Sequence, residues 1–215
     1  MKPVTLRTER LVLRPFEPSD APAVYAACQD PDIPRWTAVP SPYGLRDAEQ
    51  FVGTAVPEGW RDDTAYTFAV VSRTDGSLIG SMGLVRLAQL HTPERQAELG
   101  FWTAKEHRGR GYTVEAARAV LRWAFRELGV ERMEWLAEAG NEGSRAVARK
   151  LGFRMEGTLR AKLVHEGTRR DVWIGSLLPY DLARDPETAA GRDDVTTGET
   201  GNPAADTTPY LPFPR

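Results

Sequence analysis

The stretch EHRGRGYTVEAARAVLRWAF, Glu106 to Phe125, decides the fold. Two glycines, Gly109 and Gly111, stand among His107, Arg108 and Arg110, and an apolar helical pattern follows at once. Val114, Ala117, Val120, Leu121, Ala124, Phe125 and Leu128 recur at the spacing of one helix face, which predicts a helix beginning near Tyr112–Thr113. The first N–H groups of a helix have no intrahelical acceptor and carry partial positive charge. Glycines just ahead of them let a ligand approach the backbone with no Cβ in the way. Backbone donors, helix dipole and the guanidiniums of Arg108 and Arg110 together suit an anionic phosphate. A dinucleotide fingerprint, G-x-G-x-x-G, would need glycine at position 114, where Val114 stands. A solvated RGRG turn with no ligand is the competing reading of the tetrapeptide taken alone.

Working outward, Leu11–Pro15 alternates and reads as a strand. Ser19 and Asp20 followed by Pro22 mark a helix start, since a proline in the first turn loses no hydrogen bond. Asp30 to Tyr43 holds four prolines and reads as loop. Leu45–Val52 reads as a short helix, and Ala65–Ser72 and Ser77–Leu84 flank an Asp75-Gly76 hairpin turn. Ala97–Thr103 and Arg132–Ala137 are strands on either side of the helix of the opening stretch. Asn141–Leu151 is a helix closed by Gly152, and Thr158–Val164 and Val172–Leu178 form a last strand pair. Strand–helix–strand alternation in the second half implies parallel neighbours, while the hairpins imply antiparallel ones. The expected class is α/β in the α+β sense: one mixed sheet with helices on its faces.

Composition narrows the function. The chain has 215 residues, 41% hydrophobic and 27% charged, which suits one domain with a tail. From residue 184 to 215 the text turns to Thr, Ala, Gly, Asp and Pro with no helix or strand period, and reads as a disordered acidic tail behind a domain of residues 1–183. That segment carries net charge −3 of the chain's −2, so the domain stands at +1, too little for a nucleic-acid binder. No apolar run spans a membrane and the N-terminus reads as a strand rather than a signal peptide, so the default location is cytoplasmic. The single cysteine, Cys28, lies in an apolar helical setting and reads as a buried thiol; no Cys/His cluster has metal-ligand spacing.

Taken together, the loop R-G-R-G-Y-T-x-E-A, the preceding ELGFWT and the later N-E-G-S-R-A-V-A-R-K-L-G-F resemble the GNAT N-acetyltransferase superfamily. The likeness is closest to its RimJ/RimL type, which acetylates protein N-terminal amines and small amines; TERLVLRPFEPSDA and TRRDVWIGSLLPYD at the ends look like that type too. The resemblance spans about residues 5–182 and implies a mostly antiparallel twisted sheet with a splayed parallel pair. It departs from the family pattern at Thr113, where Gly or Ala is usual. A β-branched residue there crowds the phosphate slightly, or else its hydroxyl caps the helix or touches the phosphate.

Carried over by that resemblance, the cofactor is acetyl-CoA. Phe101, Trp102 and Thr103 offer backbone to its pantetheine arm, and the amides of Arg108, Gly109, Arg110, Gly111, Tyr112 and Thr113 hold its pyrophosphate. Asn141 contacts the pantetheine amides, with a plain N-cap as the alternative. Ser144 matches the position that protonates the leaving thiolate, with a helix-start hydroxyl bonded to its own backbone as the alternative. Glu98, on the cleft strand, is the candidate general base, against a reading as a surface carboxylate. The acid that RimL-like sequences place on the strand after LGF is absent, since Leu163 stands there beside Lys162. His91, His107 and His165 read as surface residues. Arg35, Trp36 and Tyr43, in the proline-rich loop, are placed to line an acceptor site or to pin that loop to the core. The implied partner is an amine, a protein N-terminus or a small molecule, taken by a monomer or homodimer with neither nucleic acid nor membrane involved. Two functions fit the intact loop: an acetyl-CoA-dependent N-acetyltransferase, or a non-catalytic module that binds coenzyme A.

Overall fold

A computed structural model describes residues 1–165 and 167–183. The tail expected over residues 184–215 lies outside the described residues. Eight strands form one sheet in the order β1-β2-β3-β4-β5-β6-β8-β7. They are β1 (Leu6–Arg7), β2 (Leu11–Arg14), β3 (Tyr66–Ser72), β4 (Leu78–Val85), β5 (Gln96–Thr103), β6 (Arg132–Glu138), β7 (Arg154–His165) and β8 (Thr168–Leu177). Every neighbouring pair is antiparallel except β5 and β6. That exception follows from the crossover between them, which is helix α5 (Tyr112–Glu127).

Helix α5 begins where the apolar period places it. Its buried face, Ala116, Ala117, Val120, Leu121, Trp123 and Ala124, lies on the sheet. Small residues near its start let it sit close, and Trp123 then meets an aromatic cluster of Trp60, Tyr66 and Phe68. Leu11 and Leu13 of β2 are fully buried, as strict alternation demands. Helices α1 (Ala21–Ala27) and α6 (Glu142–Leu151) match the expected ones, with Gly152 at φ +89 closing α6.

Three local readings need correction. The segment Asp30 to Tyr43 is not all loop, since α2 (Asp32–Trp36) lies inside it. Its prolines permit this because Pro31 is the N-cap and Pro34 falls in the first turn, where no N–H is used. The helix at Leu45 also runs on past Val52. It comprises α3 (Leu45–Gln50), a π turn (Phe51–Ala55) and α4 (Val56–Arg61). In the π turn the Val56 N–H reaches back to the Phe51 carbonyl, which brings Pro57 into a fresh first turn. Gly53 and Pro57 conceal that continuity in the sequence. The last hairpin is longer than its alternating core, because β7 is an exposed edge strand without a buried face to mark it. Helix α7 (Pro179–Ala183) ends the described residues.

Two glycines shape the centre of the sheet. A Cβ on Gly80 would stand 2.2 Å from the Trp102 carbonyl oxygen, and one on Gly83 would stand 2.6 Å from that of Tyr66. Neither contact can be relieved without moving backbone. Gly80→Ala is therefore expected to destabilise the protein by about 1–3 kcal/mol, read as a lowered urea midpoint. An unchanged midpoint would mean that β4 and β5 are not packed as described.

Candidate active site

Strands β5 and β6 are paired at only three positions: Gln96 with Arg132, Ala97 with Met133, and Glu98 with Glu134. From Leu99 onward β5 stays with β4, and from Trp135 onward β6 stays with β8. The two strands part, and the β6-facing edge of β5 is left without a strand partner. The gap is part of a cavity of about 1110 Å³. Its walls come from β5, the end of β6, the mouths of α5 and α6, and the segment from α2 to the π turn.

At the mouth of α5, Gly109 and Gly111 have φ of +76 and +79, a region that disfavours side chains. The first backbone bond of the helix runs from the Glu115 N–H to the Gly111 carbonyl. Among the described residues, the six N–H groups from Gly109 to Val114 donate to no backbone carbonyl. The Glu115 carboxylate braces the loop from the far side. It accepts from the Thr8 hydroxyl at 2.6 Å, the Arg10 N–H at 3.0 Å and Arg10 Nε at 2.6 Å. Arg10 in turn donates to the Arg110 carbonyl at 3.1 Å and stacks on Tyr112.

The two loop arginines differ. Arg110 is exposed, its guanidinium in no ion pair among the described residues. Arg108 is occupied: Nη2 lies 2.5 Å from the buried Asp30 Oδ2, Nη1 donates to Asp32 at 3.0 Å, and Nε donates to the Thr103 carbonyl at 3.1 Å. The expectation of two guanidiniums free for phosphate is corrected, because Arg108 ties the loop to the start of α2. The Thr113 hydroxyl neither caps the helix nor stands free; it is hydrogen-bonded to the Thr103 hydroxyl at 2.8 Å.

On the opposite wall, Asn141 is the N-cap of α6, its Oδ1 accepting from the Ser144 N–H at 3.0 Å. It also lines the cavity. The Ser144 oxygen accepts from the indole N–H of Trp135 at 2.8 Å, so it is not engaged with its own backbone.

Glu98 is not a surface carboxylate. Its side chain is 14% exposed and lines the cavity at the point where the strands part. Arg86 Nε lies 2.9 Å from Oε2 but off the hydrogen-bonding line, leaving that oxygen without a hydrogen bond. Burial pushes its pKa above the ordinary carboxylate value; Arg86 opposes the shift and Glu134 adds to it.

The proline-rich segment divides its candidates. Trp36 and Tyr43 line the cavity. Arg35 does not: it forms a two-pronged pair with Glu138, at 2.9 and 2.8 Å, and stacks on Trp36. Arg35 thus pins α2 to the end of β6. His165 and Arg170 complete the surroundings of Glu138 at 4.0 and 3.9 Å, so His165 is not a plain surface residue. Arg110, Gly111 and Tyr112 also stand outside the lining, while Phe101, Trp102, Thr103, Arg108, Gly109 and Thr113 belong to it. Cys28 is buried, and burial raises its thiol to about 11, far from a nucleophile's range. Among the described residues no group of His, Cys, Asp and Glu is arranged for a metal, and no helix is long and apolar enough to cross a membrane.

Sequence reasoning missed Trp135, Arg86, Glu138 and the pair Asp30 and Asp32. Only Trp135 left a signal there, as an aromatic in step with buried Met133 on an alternating strand.

Residues 10–154 match the family model of the acetyltransferase (GNAT) domain. The chain is 38% identical over 133 residues to the putative ribosomal N-acetyltransferase YdaF of Bacillus subtilis, covering 61% of this chain and 70% of that one. It is 28% identical over 173 residues to the uncharacterised N-acetyltransferase YoaA of the same organism, covering 80% and 96%. A putative ribosomal-protein-serine acetyltransferase from Vibrio cholerae superposes with a TM-score of 0.72 at 25% identity, covering 83% of this chain and all of that one.

The Arg35–Glu138 clasp has a pH signature. The Arg35 hydrogen bonds hold the Glu138 pKa below its ordinary value against the opposing effect of burial, with Arg170 and His165 adding to the lowering. A carboxylate with a depressed folded-state pKa stabilises the fold above its unfolded value of about 4.3, and that stability is lost as pH falls through the folded value. Glu138→Gln should cost about 1–3 kcal/mol at neutral pH. The difference from the unsubstituted protein should shrink below about pH 4 in urea titrations. A pH-independent difference would remove the charge pair as its cause.

Proposed function

This chain belongs to the GNAT acetyltransferase family, and on that premise we propose that the parted strands and the glycine loop form the active site of an acetyl-CoA-dependent N-acetyltransferase acting on a primary amine. The observation that carries this reading is the row of unpaired amides at the mouth of α5, opening beside the unpartnered edge of β5. These residues fit the donor: at Gly109, which lines the cavity, nothing stands within 4 Å of where a Cβ would be, so a side chain would fill that space, and backbone donors at a helix start suit a pyrophosphate.

Bound acetyl-CoA supplies a thioester carbonyl open to attack by a neutral amine. The free edge of β5 at Phe101 to Thr103 holds an extended arm as an added strand would. Backbone N–H groups near Leu99 to Phe101 meet the charge that develops on a carbonyl oxygen during attack. Glu98, with its raised pKa and an oxygen lacking a hydrogen bond, takes the proton of the attacking amine, directly or through water. Ser144 donates its hydroxyl proton toward the departing sulfur. No side chain becomes acylated, in keeping with the burial of Cys28. Much of the rate then comes from holding two reactants in line.

Trp36 and Tyr43 form the acceptor wall. The acceptor is a protein N-terminal α-amine or a small amine; the word ribosomal in the names of YdaF and of the Vibrio cholerae protein favours a protein acceptor. An α-amine, with a pKa near 8 against about 10.4 for lysine, loses its proton to a weak base far more readily.

Release of free thiol from acetyl-CoA across a panel of N-terminal peptides and small amines tests the reading. Turnover on some member is expected; none, with coenzyme A still bound, would leave a non-catalytic binding module. Glu98→Gln should lower kcat/KM by about 10²–10⁴ and abolish an acidic limb lying above pH 4.5. A limb that survives this substitution belongs to another group. Gly111→Val places a β-branched residue at φ +79 and should weaken coenzyme A binding at least about tenfold by calorimetry. Unchanged affinity would place the phosphate elsewhere.

A further inference from the structure

We propose that Trp135 is the positioning residue that turns Ser144 into a proton donor facing the cavity. The inference rests on the acetyl-transfer reading above and adds to it a residue that the loop motif does not contain.

Trp135 is 1% exposed and is the first residue of β6 beyond its last pairing with β5. Its indole N–H can only donate, and a buried indole N–H needs an acceptor. The acceptor is Ser144 Oγ at 2.8 Å, across the turn between β6 and α6. Ser144 is held from a second side, where its own N–H donates to Asn141 Oδ1 at 3.0 Å. Both the backbone and the oxygen of Ser144 are therefore placed by neighbours.

This narrows the direction of the hydroxyl proton. A serine hydroxyl has one proton and two lone pairs, and the indole occupies one lone pair. Among the described residues the Ser144 proton has no acceptor, and the back-bond to a preceding carbonyl that serine often makes in a helix is absent. What remains is the cavity, whose wall Ser144 and Trp135 both form. A donor on the oxygen also polarises the O–H bond and steadies negative charge that builds on it. During transfer the N–C bond forms and the C–S bond breaks, and the sulfur keeps the electron pair. The hydroxyl of Ser144 meets that charge. The proton lost by the amine passes to Glu98 and solvent, and one proton returns to the sulfur.

A merely structural tryptophan would satisfy the same bond, so the test separates the two roles. Trp135→Phe keeps one aromatic ring at this buried position and removes the N–H. It should lower kcat about five- to tenfold while leaving the KM for acetyl-CoA unchanged. In a Ser144→Ala background the same substitution should lower kcat no further. An equal loss in that background makes the tryptophan structural and overturns the proposal. A second readout needs neither turnover nor a folded Trp135→Phe protein. The Trp135 indole signal in a ¹⁵N spectrum of the ligand-free protein should shift, and exchange faster with deuterium, in Ser144→Ala. An unmoved signal refutes the bond. Normal turnover in Ser144→Ala removes the donor role and this proposal with it, while thiol release still upholds the transferase reading.

Discussion

The rest of the molecule depends on a sheet that begins a parallel pairing and abandons it after three residues. Past Glu98, β5 keeps its bonds to β4 and β6 keeps its bonds to β8, so neither strand can satisfy the other. An unpaired strand edge inside a protein is costly unless something else bonds to it. Here the edge faces a large cavity, and the fork carries Glu98 on one prong and Trp135 on the other, the two residues for which proton-handling roles are proposed. Glycine on β4 permits the close β4–β5 pairing: a side chain at Gly80 would collide with the Trp102 carbonyl of β5.

The cavity walls are joined by charge rather than by apolar packing alone. Arg108 links the glycine loop to α2 through Asp30 and Asp32, and Arg35 links the other end of α2 to β6 through Glu138. Glu115 joins the helix start to the β1–β2 turn through Thr8 and Arg10. Four segments distant in sequence are thereby joined, with the backbone amides of the loop left unengaged. The basic look of RGRG is in part misleading. One guanidinium serves the architecture, and the phosphate affinity proposed for the loop rests mainly on main-chain donors and the helix dipole.

Legibility followed the range of the interactions. Helix α5, the Asp75-Gly76 hairpin, the strands on either side of α5 and the N-cap of α6 were all readable, because spacing, turn residues and caps act within a few positions. Asp32–Trp36 was hidden because prolines read as breakers even where the first turn tolerates them. The long helical run from Leu45 was hidden because a π turn reset the register around Pro57. Glu98 was found by its place on the strand, yet its burial was not, since alternation says which face a residue takes and not what covers that face. For Arg35 the sequence leaves an acceptor wall and a loop-pinning role equally open, and a buried carboxylate 103 positions away decides for pinning.

By itself the sequence determined the mixed sheet, the order of its elements and the glycine loop at a helix mouth, because those features are written in local periodicity and backbone permissiveness. Tertiary structure alone decided which side chains are engaged. It gave Arg108 to Asp30 and Asp32, Thr113 to Thr103, and Ser144 to Trp135. Partners in a hydrogen bond or ion pair are chosen by distance in space, and no spacing along the chain encodes that distance.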